Sequence, residues 1–140
     1  MSKIIALQGP GDSGKTTTIK LLPEILERNG YKQEPGGYKL HGPNGDFSDV
    51  FKKGAIRVGV TSQGDNYKLV FSKLTRLISE FKCDICICAC RTKDRKPPGS
   101  VAAVHSFPNH KPQFVKKTKA NSADRAKVNT TDVDEIFSRI

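Results

Sequence analysis

Lys3-Ile4-Ile5-Ala6-Leu7-Gln8-Gly9-Pro10-Gly11-Asp12-Ser13-Gly14-Lys15-Thr16-Thr17 joins a strand-like apolar run to a glycine-rich turn and then to helix-forming sequence. Gly9 to Thr16 matches G-x-x-x-x-G-K-[ST], and it lies between a strand and a helix, as the mechanism of that pattern demands. Its glycines let backbone amides curl inward around a phosphate. The start of the following helix adds unpaired donors and the positive end of a dipole. In such a loop Lys15 reaches the β- and γ-phosphates and the Thr16 hydroxyl ligates Mg²⁺. The pattern therefore marks a nucleoside triphosphate site built from Gly9, Pro10, Gly11, Asp12, Ser13, Gly14, Lys15, Thr16 and Thr17.

Downstream, strands and helices alternate, which favours an α/β fold with a mostly parallel sheet. A helix is expected over residues 15–29, closed by Gly30 and kinked or broken at Pro23. Residues 34–45 hold four glycines and two prolines and read as a long mobile loop. Residues 47–51 and 55–60 flank Lys52-Lys53-Gly54 as an antiparallel hairpin. A second helix follows over 66–81, with Val70, Leu74, Leu77, Ile78 and Phe81 as its apolar stripe. Residues 85–90 read as a buried strand, 100–107 as a short helix and 113–117 as an edge strand. A closing helix is expected over 131–140, capped by Thr131 or Asp132, with 119–130 mobile before it.

The 140 residues suit one domain, residues 1–140. No apolar run approaches the ~20 residues of a membrane span, which excludes an integral membrane protein. The chain enters its first strand at once, without the basic, apolar and cleavage segments of a secretory leader, so a cytoplasmic protein is expected. All four cysteines, Cys83, Cys86, Cys88 and Cys90, crowd into one strand-like stretch, where they read as small buried hydrophobes in a reducing compartment. The net charge is +10. Residues 91–125 carry most of that excess, which is either a solvated basic face or a surface for a polyanion such as nucleic acid. His41, His105 and His110 are isolated in sequence and are given no chemistry.

On the Gly9 to Thr16 motif the chain resembles the P-loop NTPase superfamily, strongly over residues 3–29 and in topology to Arg91. The resemblance implies a three-layer P-loop NTPase fold, its central sheet mostly parallel with one antiparallel hairpin strand. The hairpin after the first helix is similar to the Ras-like GTPase arrangement, which makes 34–45 and 61–65 the counterparts of two γ-phosphate-sensing switch loops. Small uncharacterised P-loop ATP-binding proteins of about this length are a closer overall likeness.

Two departures bear on chemistry. The superfamily's second motif is an apolar strand ending in a Mg²⁺-binding Asp, yet Ile56-Arg57-Val58-Gly59-Val60 is followed by Thr61. Asp65, four residues on, is then either the metal or water-orienting acid or the N-cap of the second helix. Asp46 and Asp49 are alternative acids, but they are expected to be hairpin-surface carboxylates. A guanine-reading N-K-x-D motif is absent, since Arg91-Thr92-Lys93-Asp94 stands in its place, and ATP becomes the default over GTP. Arg91, at a strand tip facing the ligand crevice, is a candidate for neutralising charge on a transferring phosphoryl group, whereas Lys93 and Arg95 read as hydrated loop residues.

The expected function is Mg²⁺-dependent binding and hydrolysis of a nucleoside triphosphate, with Lys15, Asp65 and Arg91 as catalytic residues and Thr16 and Asp65 at the metal. The alternatives are a phosphotransferase with a small acceptor, and a non-hydrolysing module that grips nucleic acid or protein when nucleotide is bound.

Overall fold

A computed structural model describes residues 2–11, 13–35, 39–41, 45–64, 66–93 and 97–140. In chain order the elements are β1 (Lys3–Gln8), α1 (Lys15–Ile19), α2 (Leu22–Arg28), β2 (Lys32–Gln33), β3 (Lys39–His41), β4 (Asp46–Lys53) and β5 (Ile56–Thr61). There follow α3 (Tyr67–Thr75), β6 (Ile85–Cys90), α4 (Ser100–Val104), β7 (Lys111–Lys116) and α5 (Arg125–Ser138). The strands form one sheet in the order β2-β4-β5-β6-β1-β7, with β3 also paired to β4. Only β4 runs against the others: β1 is parallel to β6 and β7, β5 is parallel to β6, and β4 is antiparallel to β2, β3 and β5. The expected α/β fold, with one antiparallel hairpin strand in a mostly parallel sheet, is the one observed.

Helices cover both faces of the sheet, because its central strands are apolar on both sides. Ile5, Leu7, Ile87 and Ala89 pack with Ile19 of α1, Leu22 and Leu26 of α2, and Val133 and Ile136 of α5. On the opposite face Ile4, Ala6 and the four cysteines pack with Val70 and Leu74 of α3, Leu77, and Ala103 and Val104 of α4. All four cysteines are free thiols and buried, filling space as expected. Burial raises the pKa of Cys88, and the hydrogen bond that the Cys86 thiol makes to Cys83, together with burial, raises that of Cys86, so these thiols stay protonated.

The first helix divides where its sequence requires. α1 ends at Ile19 and α2 starts at Leu22, which places Pro23 in the first turn of α2, where its missing N–H leaves no bond unmade. Gly30, at φ +89°, closes α2, with Tyr31 N–H donating to Leu26 O and Gly30 N–H to Glu27 O. The β4–β5 hairpin turns through Gly54 and Ala55, with Gly54 at φ +60°. Asn66, not Asp65, caps α3, its side chain accepting from Leu69 N–H at 2.9 Å. α3 then runs on through a wider turn over Arg76–Glu80.

Two expectations need correction. The region read as one loop over 34–45 contributes β3, whose residues pair with Asp46 to Ser48 of β4. The closing helix begins at Arg125 rather than at 131, so neither Thr131 nor Asp132 caps it. Asp132 instead forms a buried ion pair inside the helix's packed face. No helix among the described residues is long and apolar enough to cross a membrane.

Candidate phosphate-binding site

The loop between β1 and α1 lies at the carboxyl edge of the sheet, where open α/β sheets hold ligands. Gly14 takes φ +90°, a left-handed conformation that favours glycine, and turns the chain into α1. Lys15 is buried, and its Nζ donates to the carbonyl oxygens of Gly9 and Pro10, both at 2.8 Å. The ammonium thus lies folded over the loop that carries it. Ser13 Oγ is buried without a hydrogen-bond partner among the described residues. An orphaned hydroxyl in a phosphate-type loop fits an anion supplied from outside, since buried polar atoms are otherwise satisfied.

A cleft of about 490 Å³ opens in front of this loop, lined by Gly11, Ser13, Gly14, Lys15, Thr16 and Thr17. Asp46, Ser62, Gly64 and Arg125 close its other sides. Of the residues expected at the site, Gly9 is buried and Pro10 lines an adjoining groove, while Asp12 and Asp65 lie outside the described residues. Gly64 lets the β5 connection approach β6 closely, because a Cβ there would stand 2.5 Å from the Ala89 carbonyl carbon.

Asp46 corrects the sequence reading. Its Oδ1 accepts from Thr16 Oγ1 at 3.1 Å and from Ser62 Oγ at 3.0 Å, and Ser62 Oγ in turn accepts from Phe47 N–H at 2.8 Å. It is a cleft residue held in place, not a carboxylate on the hairpin surface. The reason is strand direction. Because β4 runs antiparallel, its first residue sits at the edge where β1, β5 and β6 end. Thr61, at the end of β5, is fully buried and accepts a hydrogen bond from Ser48 Oγ at 3.0 Å. Asp49 is no surface group either: it is 2% exposed, and it accepts from Gln33 Nε2 at 2.7 Å and Val50 N–H at 2.9 Å. Burial raises its pKa.

Arg91 follows β6 and lies against the phosphate loop. A Cβ at Gly11 would stand 2.6 Å from Arg91 Nη1. Lys93 is exposed, and Arg95 lies outside the described residues. The basic tract over 91–125 is not one outward face, since Arg91 meets Gly11, Arg125 lines the cleft and Lys117 is buried. Lys117 packs along Gly9 and Gly14 and pairs with Asp132 at 3.0 Å. Sequence reasoning passed over Arg125 and Lys117, which stand more than a hundred residues from the motif and in no recognisable pattern.

No three or more His, Cys, Asp or Glu side chains gather as a metal site among the described residues. The groups present nonetheless fit Mg²⁺, which commonly takes one or two protein oxygens and completes its shell with phosphate oxygens and water. Thr16 Oγ1 and Asp46 Oδ1, 3.1 Å apart, are two oxygens that would suit such an ion.

No protein-family model matches this chain, and no solved structure matches it. Over 54 residues it is 35% identical to the taurine import ATP-binding protein TauB of Jannaschia sp. (strain CCS1). That stretch is 39% of this chain and 20% of that protein, so the chain spans about a fifth of the relative's length. The partial match supports the P-loop NTPase superfamily and nothing finer.

Proposed function

We propose that this chain binds a nucleoside triphosphate with Mg²⁺, ATP by default, and hydrolyses its terminal anhydride bond. The observation that carries this reading is the Thr16–Asp46 pair standing beside Lys15 in one cleft. A hydroxyl and a carboxylate at the mouth of a phosphate loop are the donor set a Mg²⁺-triphosphate requires, and Lys15 and Arg125 supply the opposing charge. The partial match to a protein named as ATP-binding supports the same reading.

In hydrolysis the oxygen of a water bonds to the γ-phosphorus, the bridging β–γ P–O bond breaks, a proton of that water passes to a phosphate oxygen or to solvent, and the nucleoside diphosphate and inorganic phosphate leave. Thr16 and Asp46 would hold the Mg²⁺, which when bound would supply charge neutralisation for the phosphates. Lys15 leaves the Gly9 and Pro10 carbonyls to reach the phosphates, and the Ser13 hydroxyl gains the partner it lacks among the described residues. Ser62 keeps Asp46 turned toward Thr16. Arg91 neutralises charge developing on the phosphoryl group, and Asp65 orients the attacking water.

Phosphate release from Mg²⁺-ATP without any acceptor is the test. Steady release supports hydrolysis. Release that requires an added nucleoside or sugar replaces it with phosphotransfer, and nucleotide-stabilised folding without turnover replaces it with a binding module.

A further inference from the structure

We propose that the pocket between β2 and the β4–β5 turn binds the sugar-phosphate backbone of a nucleic acid. Its centre is a row of like charges. Lys32 of β2 pairs with Lys52 of β4, and Lys52 pairs in turn with Arg57 of β5, so three cations stand opposite one another across three neighbouring strands. Like charges so placed destabilise a sheet. Lysine on an edge strand discourages stray pairing with other chains, which accounts for Lys32. It does not account for Lys52, because β4 is paired on both sides at that residue. A row that costs the fold stability, and that edge protection does not require, fits an anion supplied from outside.

The neighbouring groups leave the lysines available. Arg57 is already engaged: its Nη1 donates to Phe81 O at 3.1 Å, and its Nε stands 3.5 Å from Glu34 Oε1, the one acid among the described lining residues. Neither Lys32, Lys52 nor Lys53 is in an ion pair among the described residues. Lys53 only lies over the Tyr31 ring, 5.5 Å from its centroid. All three lysines are exposed, and with Gly30 and Gly54 they line a pocket of about 340 Å³. Lysine meets a phosphate as a point charge, and cations rooted about 4.8 Å apart, the spacing of strands, suit a chain of phosphates better than a single one. The pocket is separate from the triphosphate cleft. β4, eight residues long, starts at Asp46 in that cleft and ends at Lys53, roughly 23 Å away at about 3.3 Å per residue.

Fluorescence anisotropy of a labelled oligo-dT strand, titrated with the whole chain over a range of salt concentrations, tests this. The triple variant Lys32→Gln, Lys52→Gln, Lys53→Gln should bind at least about tenfold more weakly at about 0.1 M salt. Its log–log salt slope should be shallower by about 2, the share of three single-strand phosphates. Lys111, Lys116 and Lys127 are also exposed, and changing those three to Gln removes the same charge elsewhere. That control should stay within about threefold of the parent. Equal losses in the two triple variants would reduce the effect to overall charge and overturn the site, as would a parent that does not bind the strand. Displacement of the strand by polyglutamate as readily as by unlabelled oligo-dT would overturn it too, and give the pocket to an acidic peptide. Should the triple variant not fold, Lys52→Gln alone should flatten the slope by about 0.7, and an unchanged slope counts against the proposal.

Discussion

Thr16 Oγ1 donates to Asp46 Oδ1 at 3.1 Å, joining the last residue of the phosphate-loop motif to the first residue of the antiparallel strand. This pairing puts an acid where the chain otherwise has only Thr61. Asp46→Asn should therefore lower Mg²⁺-ATP affinity or turnover by about tenfold or more while leaving Mg²⁺-free ATP binding as tight or tighter, because a negative charge beside the phosphates is gone. Titrations with Mg²⁺ and with a chelator check it. If Asp65→Asn produces that Mg²⁺-specific loss and Asp46→Asn does not, the metal role belongs to Asp65.

Much of this architecture was legible because local rules coincide with global ones. Gly30 ends α2, Pro23 falls at the α1–α2 break, and the two-sided apolar runs of β1 and β6 become the centre of the sheet. What escaped was what only topology decides. A search for the second acid along β5 finds Thr61, because linear reading follows a strand to its end; the carboxylate seen in the cleft, Asp46, comes from the start of the neighbour that runs the other way. Arg125 escaped because its tract has charge but no periodicity, and the helix that begins there is read as a loop until its packing against β7 and the first helices is known. Val133 and Ile136, the residues that anchor α5, lie in its second half.

In the proposed function Lys15 serves the binding step. Lys15→Ala should abolish the rise in melting temperature that saturating Mg²⁺-ATP gives the parent, which at a hundredfold excess over Kd amounts to roughly 5–10 °C for a domain of this size. Thermal melts with and without nucleotide decide it. An undiminished rise in Lys15→Ala would show that the nucleotide is held elsewhere.

Lys117 and Asp132 pair at 3.0 Å with side chains only 1% and 6% exposed. Removing one partner strands a buried charge, and Asp132→Ala also orphans the Thr118 amide and hydroxyl. Such losses cost about 3–5 kcal/mol, so the melting temperature should fall by roughly 10 °C or more. Lys117→Met combined with Asp132→Leu should recover part of that, since no charge is left unpaired. A melt of Asp132→Ala that overlays the parent's would show the pair to be unimportant to stability.

Asp49 gives a dependence on pH. Burial is the main cause of its raised pKa and the Glu27 charge adds to it, while the hydrogen bonds from Val50 N–H and Gln33 work against it. Because the folded value lies above the ordinary 3.8, the fold prefers the neutral carboxyl. That contribution is complete below the unfolded value and is lost as pH rises through the raised one, so ionised Asp49 costs stability at neutral pH. Asp49→Asn keeps an oxygen for Val50 N–H and should melt at or above the parent at about pH 7, with the difference shrinking as the solution is acidified. An Asn variant less stable than the parent at neutral pH would mean that the charged hydrogen bonds outweigh the burial.

Gly11 and Arg91 offer a test of the arginine's part that does not delete it. Because a Cβ at Gly11 would come within 2.6 Å of Arg91 Nη1, Gly11→Ala must push the guanidinium off the loop. If Arg91 steadies charge on the transferring phosphoryl group, Arg91→Ala should reduce phosphate release by about a hundredfold, the scale of losing one preorganised donor. Gly11→Ala should then lose much of the same rate by displacement. The double variant should fall little below Arg91→Ala alone, since both changes remove one interaction. Turnover of the three variants under saturating Mg²⁺-ATP checks the cycle. Fully multiplicative losses would mean that Gly11 and Arg91 act separately, and a full rate in Arg91→Ala would return that side chain to the role of packing against the loop.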